Sequence, residues 1–169
     1  MVAMMKRYFL ILSLIAVGAA PSVAGAAVVN GTAAPKVPPY QARGATEITE
    51  IGPLAASLQG KPVVVRIHAD WCPACKATQS TIDDLKRAYA GKINFVQFDV
   101  TNAKTAAASQ DEAQKLGLGK FYDAAKAATS TVAVMDPKDG RVLATLYNDG
   151  TIGDYDTAIN EALKVVHSS

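Results

Sequence analysis

Two cysteines three residues apart, Cys72 and Cys75, follow closely on the apolar run Val63-Val64-Val65 in the string Ala69-Asp70-Trp71-Cys72-Pro73-Ala74-Cys75-Lys76. They are the only cysteines in the 169 residues. A β-branched run that ends in Trp-Cys-x-x-Cys reads as a strand delivering a dithiol to the first turn of a helix. Positions i and i+3 share a helical face there, so the two sulfurs come within reach of disulfide geometry. The unpaired N–H groups of that turn favour a thiolate at Cys72. Cys75, one turn deeper, is shielded and suits the resolving role. Pro73 fits the opening turn, where its missing N–H costs nothing. The chemistry expected is attack by the Cys72 thiolate on a partner disulfide, followed by resolution through Cys75.

Three other readings of the pair are weaker. Structural zinc wants four ligands, and only His68 and His167 are available to join the two thiols. Copper(I) bound by Cys72, Cys75 and a histidine would need His68 to turn toward the motif from the strand before it. A purely structural staple across so short a loop would constrain the unfolded chain very little. The site expectation therefore holds no metal and no organic cofactor, because the electrons reside in the Cys72–Cys75 couple itself.

The first 26 residues read as a signal peptide. Lys6 and Arg7 form a basic start, Tyr8 to Ala20 an apolar stretch, and Ala24-Gly25-Ala26 a small-x-small cleavage site, with Ser22-Val23-Ala24 close by. The stretch is short for a membrane span, so no stable membrane insertion is expected after cleavage. A bacterial periplasm is the simplest destination. The chain carries 17 basic and 15 acidic residues, and removing Lys6 and Arg7 leaves 15 against 15. That balance gives no electrostatic case for nucleic acid or an anionic membrane. The remaining length, roughly 140 residues, suits one domain with one core, expected as a monomer.

Residues 27–44 are small and proline-rich and read as a flexible lead-in, with the domain over 45–169. The pattern predicts a short edge strand at Thr46–Ile51, a short helix at Pro53–Leu58 and a central strand at Val63–His68. A helix follows from Cys72 to Ala90, then a strand at Asn94–Val100 and an alanine-rich helix at Thr105–Leu116, broken at Gly117-Leu118-Gly119. Phe121–Ala128 adds a short helix. Thr131–Met135 and Arg141–Tyr147 form an antiparallel hairpin around a turn in which Gly140 needs positive φ. Asp154 is the expected N-cap of a closing helix that buries Ile159, Leu163 and Val166. This is an α/β pattern, a mixed central sheet of four to five strands flanked by helices.

Over Lys61 to Val166 the chain resembles the thioredoxin superfamily, most strongly through Lys61-Pro62-Val63-Val64-Val65 leading into Ala69-Asp70-Trp71-Cys72-Pro73-Ala74-Cys75-Lys76. The strand Phe95-Val96-Gln97-Phe98-Asp99-Val100 and the hairpin at Asp139-Gly140 fall where that fold places them. Within the superfamily the signature looks most like the C-terminal thioredoxin-like domain of the bacterial membrane disulfide reductase. The resemblance implies a thioredoxin-like fold and an exported thiol-disulfide oxidoreductase of the protein-disulfide reductase type. Its partners would be protein thiols and disulfides, with a membrane electron donor as one candidate. It also implies an exposed nucleophile at Cys72, a buried resolver at Cys75, and substrate contact through Trp71, Pro73, Ser130 and Thr131. The alternative is a copper- or partner-binding module that keeps the fold without redox turnover.

The chain departs from that pattern in three places. Ser130 stands where the family has a cis-proline. A cis bond before a non-proline residue costs about 3 kcal/mol, so a trans bond and a rebuilt loop are expected. Arg66 occupies the position of a buried aspartate six residues before the nucleophile, and Gln97 that of its lysine companion. Arg66 either pairs with Asp99 in the interior or emerges to solvent. If it lies under the dithiol, it favours thiolates and raises the reduction potential. Finally, Gly117–Thr129 is longer than the usual connection. Its Phe121-Tyr122 pair either packs a short helix on the core or forms an apolar lip at the site. His68, on the same strand face as Arg66, is a core or edge histidine first and a proton carrier for Cys75 second.

Overall fold

The computed structural model describes residues 51–148 and 151–168. The expected signal peptide, the lead-in and all of the Thr46–Ile51 strand except Ile51 lie outside them, and Ile51 itself belongs to no strand. A 3-10 turn at Ala56–Leu58 precedes β1 (Val63–His68), α1 (Pro73–Ala77), α2 (Gln79–Ala88), β2 (Asn94–Asp99), α3 (Ala103–Leu116) and α4 (Gly119–Ala125). Then follow β3 (Thr131–Met135), β4 (Val142–Tyr147) and α5 (Ile152–Ser168). The sheet among the described residues has four strands in the order β2-β1-β3-β4. β1 pairs in parallel with β2 and antiparallel with β3, and β4 returns antiparallel to β3. This is the expected mixed sheet flanked by helices.

Alternation along β1 sorts the core into two layers. Val63, Val65 and Ile67 pack with Phe98, Ala113, Phe121 and Tyr122, beneath α3 and α4. Val64 packs with Ile82, Leu85, Tyr155 and Ile159, beneath α2 and α5. All four apolar β1 residues, Val63, Val64, Val65 and Ile67, are fully buried, and such side chains contribute roughly 1.5–3 kcal/mol each. The fourth residue of the strand is Arg66, equally buried. It shares the α2/α5 face with Val64.

Several boundaries differ from the sequence expectation for identifiable reasons. The long helix expected from Cys72 to Ala90 is interrupted at Thr78. There the Cys75 carbonyl accepts from Arg66 Nη2 at 2.8 Å and from the Thr78 hydroxyl at 3.3 Å. Side chains that intrude on the helical ladder in this way break it. α3 begins two residues early because Asn102 caps it, accepting from the Lys104 and Thr105 amides while the Thr105 hydroxyl accepts from the Asn102 amide. α4 starts at Gly119 and stops at Ala125 rather than spanning Phe121–Ala128. Asp154 lies inside the first turn of α5 and does not cap it. α5 buries Tyr155, Ala158, Ile159 and Ala162, while Leu163 packs at the margin and Val166 is half-buried. The two alanines let the helix approach the sheet closely, which rotates the buried stripe away from Val166.

The β3–β4 turn docks on the segment before β1. Ile51 and Gly52 donate backbone hydrogen bonds to the Gly140 and Asp139 carbonyls, and Leu54 donates to Pro137. Gly140 has the expected positive φ, 69°. A Cβ there would lie 2.1 Å from the Gly52 carbonyl oxygen. Gly140→Ala therefore meets both backbone strain and a backbone clash. It should lower stability by about 2 kcal/mol, seen as a lower urea midpoint at unchanged m.

Candidate redox site

β1 ends at His68, and Ala69–Trp71 carries the chain to α1. Cys72 is the N-cap of α1, and its sulfur accepts from the Cys75 amide at 3.1 Å. Both cysteines are free thiols. Cys75 is fully buried, and its thiol faces the Ile67 carbonyl at 4.0 Å. Cys72 is 4 % exposed, which corrects the expectation of an exposed nucleophile. Ala69, Cys75, Ala74 and Val100 close around it, so a partner meets only a narrow face of this sulfur.

The electrostatics of the two thiols diverge. Burial resists ionisation of Cys72, but hydrogen bonds from the Cys75 thiol, the Thr129 hydroxyl and the Cys75 and Ala74 amides outweigh it, and its pKa falls below the ordinary thiol range. α1 is a single short turn, so individual N–H groups do this more than any summed helix dipole. Burial raises the pKa of Cys75, and a hydrogen bond with Cys72 and the neighbouring thiolate charge raise it further. The Ala69 amide and the Arg66 cation act against that rise. A thiol biased toward ionisation beside a shielded second thiol biased toward its protonated form is the arrangement that suits disulfide exchange.

The loops around the pair are braced. Trp71 Nε1 donates to the Thr101 carbonyl at 3.0 Å, the Asp70 amide donates to the Thr101 hydroxyl at 3.0 Å, and the Thr101 amide donates to Asp99 Oδ1 at 2.7 Å. The indole is thus fixed at its polar end while the residue stays 59 % exposed. Pro73 is exposed as well.

The thioredoxin family profile matches residues 54–133. The folded domain of this chain belongs to the thioredoxin superfamily. The chain is similar to a thiol:disulfide interchange protein TxlA homolog of Synechocystis, 42% identical over 53 residues covering 31% of this chain and 29% of that protein. It is also similar to the chloroplastic thioredoxin-like protein HCF164 of Arabidopsis thaliana, 40% identical over 45 residues, with 27% and 17% covered. The chain thus spans less than a third of either relative. A solved thiol:disulfide interchange protein of the thioredoxin family from Chlorobium tepidum aligns at a TM-score of 0.48 and 18% identity, covering 70% of this chain and 99% of that one. Family and relatives support a thiol-disulfide oxidoreductase kind of function.

This thioredoxin domain is rebuilt around the dithiol. No peptide bond among the described residues is cis. Ser130 instead adopts φ 67°, the left-handed region that costs a non-glycine residue roughly 1 kcal/mol. Its amide donates to the Ile67 carbonyl at 2.9 Å and its carbonyl accepts from Asn148 at 3.3 Å. Thr131 is buried, with its hydroxyl on the Ala128 carbonyl at 2.7 Å. Thr129, which the sequence reading did not single out, is the residue of this turn that reaches Cys72. Its signal was only adjacency to Ser130, since the contact depends on how the turn folds.

Arg66 lies in the interior, fully buried. Asp99 is not its partner. Asp99 accepts from the Thr101 amide, and its pKa is lowered: burial opposes ionisation, and the hydrogen bonds from Thr101, with His68 and Thr105, prevail. Arg66 Nη1 instead donates to Gln79 at 2.8 Å and Gln97 at 3.3 Å. His68 pairs with Asp70 at 3.1 Å, which turns it away from a role as proton carrier for Cys75. The Phe121-Tyr122 pair packs on the core and forms no lip. Both rings are buried, Tyr122 stands edge-on to Phe98 at 5.3 Å, and its hydroxyl donates to the Ala106 carbonyl. No cluster of three or more metal-ligating side chains occurs among the described residues.

Iodoacetamide should modify Cys72 with a half-maximal pH below that of an ordinary thiol, while Cys75 reacts only after unfolding. Thr129→Val removes one donor to the thiolate. Its alkylation at pH 7 should be roughly three- to tenfold slower, read from the pH–rate profile of the folded protein.

Proposed function

We propose that this chain is an exported thiol-disulfide oxidoreductase that reduces disulfides of partner proteins through the Cys72–Cys75 pair, without a bound cofactor. The observation that carries the reading is the Cys72 sulfur seated on the Cys75 amide at 3.1 Å, with the resolving thiol buried one turn behind it. In the first step the Cys72 thiolate attacks one sulfur of the partner disulfide. A Cys72–partner bond forms, and the first partner sulfur leaves as a thiolate that takes a proton from solvent. Cys75 then gives up its proton and attacks the Cys72 sulfur. The Cys72–Cys75 disulfide forms, the second partner sulfur leaves, and two electrons have passed to the partner.

Trp71 and Pro73 supply the exposed surface for the partner beside the narrow face of Cys72. Ser130 and Thr131 line the opposite loop, with their polar groups engaged within the protein. Export to a periplasm-type compartment is supported by the leader-like residues 1–26, and a membrane electron donor would complete the cycle. No helix among the described residues is long and apolar enough to cross a membrane. The domain is proposed to act as a monomer.

Cys75→Ala should accumulate mixed disulfides through Cys72 when the full chain is exposed to oxidised protein substrates, and Cys72→Ala should accumulate none. Non-reducing gels with mass spectrometry check this. Absence of adducts together with stoichiometric, tight copper(I) binding by the reduced protein would replace the oxidoreductase with a metal carrier.

A further inference from the structure

Arg66 is a fully buried cation whose described hydrogen-bond partners are all neutral: Gln79 Oε1, Gln97 Oε1 and the Cys75 carbonyl. Its Nε finds no partner at all. Burying a guanidinium without a counter-charge is costly, and neutral acceptors recover only part of its hydration. Negative charge close by offsets that cost, and Asp83 and the two cysteines are among the groups able to supply it.

The geometry points to the dithiol as that counter-charge, and we propose that Arg66 is a positioning residue that stabilises the reduced, thiolate-bearing form of the Cys72–Cys75 pair and raises its reduction potential. Arg66 Nη2 bonds at 2.8 Å to the carbonyl of the resolving cysteine itself. That contact also breaks the helix at Thr78 and so fixes where Cys75 sits. The ionisable groups that face it are consistent with this. Cys75 on α1, Tyr155 on α5, Asp83 on α2 and Cys72 at the N-cap of α1 each favour the cation when ionised, against the penalty of burial. Gln79 connects the cation onward, donating through Nε2 to Asp83 at 3.0 Å.

The redox consequence follows by linkage. When the pair is reduced, a thiolate offsets the guanidinium charge. When Cys72 and Cys75 join, two electrons and up to two protons leave, both sulfurs become neutral, and Arg66 loses the negative charge that the reduced pair supplies. The cation therefore penalises the disulfide relative to the dithiol. It also eases ionisation of Cys75 during resolution. The resulting enzyme is a mild reductant, able to exchange with its partners in either direction. This deepens the oxidoreductase reading and rests on it.

The test is the equilibrium of the pair in glutathione redox buffers. Arg66→Met should lower the equilibrium constant for reduction roughly tenfold, about 30 mV toward more reducing potential. Arg66→Lys should stay within about threefold of the unmodified protein, because the charge is kept. Gln79→Glu places a carboxylate on the guanidinium with little change in shape and should shift the constant in the same direction as Arg66→Met. A folded Arg66→Met whose constant stays within twofold overturns the proposal. Should that variant fail to fold, an unchanged or raised constant in Gln79→Glu overturns it instead. Failure of the oxidoreductase reading looks different: no trapped adducts in Cys75→Ala, whatever the glutathione equilibrium shows.

Discussion

β1 is hydrogen-bonded along both edges and covered on both faces, and the chemistry of the domain depends on that position. A strand so enclosed cannot slip register without moving an entire row of side chains from one layer to the other. Its end is correspondingly fixed, and Cys72 follows four residues beyond it. The same enclosure carries Arg66 beneath α2, where an apolar side chain would have been the easier choice.

Around that fixed end, three loops divide the work. The β1–α1 loop presents Cys72 and Trp71, the β2–α3 loop braces both through Thr101, and the turn before β3 brings Thr129 to the nucleophilic sulfur. Ser130 holds this last turn in place at some conformational cost, with its amide on the Ile67 carbonyl that Cys75 also faces. The result is a sulfur stabilised as thiolate by hydrogen bonds rather than by an adjacent base. The ionisation of the two sulfurs is set by burial, by local donors and, at Cys75, by one buried cation.

The outcomes for individual residues show where a one-dimensional reading stops. The strands around Val63–His68 and Thr131–Met135 were visible because β-branched runs between turn residues leave few alternatives. The Cys72–Cys75 pair stood out because its spacing meets a geometric requirement. Phe121 and Tyr122 looked equally suited to a lip or a core. Only the packing of Tyr122 against Phe98 and its hydrogen bond to Ala106 decided between them. Asp99 was the natural partner for Arg66 by charge, yet the Thr101 loop claims it and glutamines take its place.

Periodicity and spacing are local properties, so the order of strands and helices, the glycine turn at Gly140 and the candidate redox pair could all be read along the chain. Burial and partnership are not local. The covering of Cys72, the hydroxyl of Thr129 on its sulfur and the neutral hydrogen-bond partners of Arg66 arise where segments distant in the chain meet, and each reflects competition among several neighbours for one group. That competition is resolved by packing, which no linear pattern encodes.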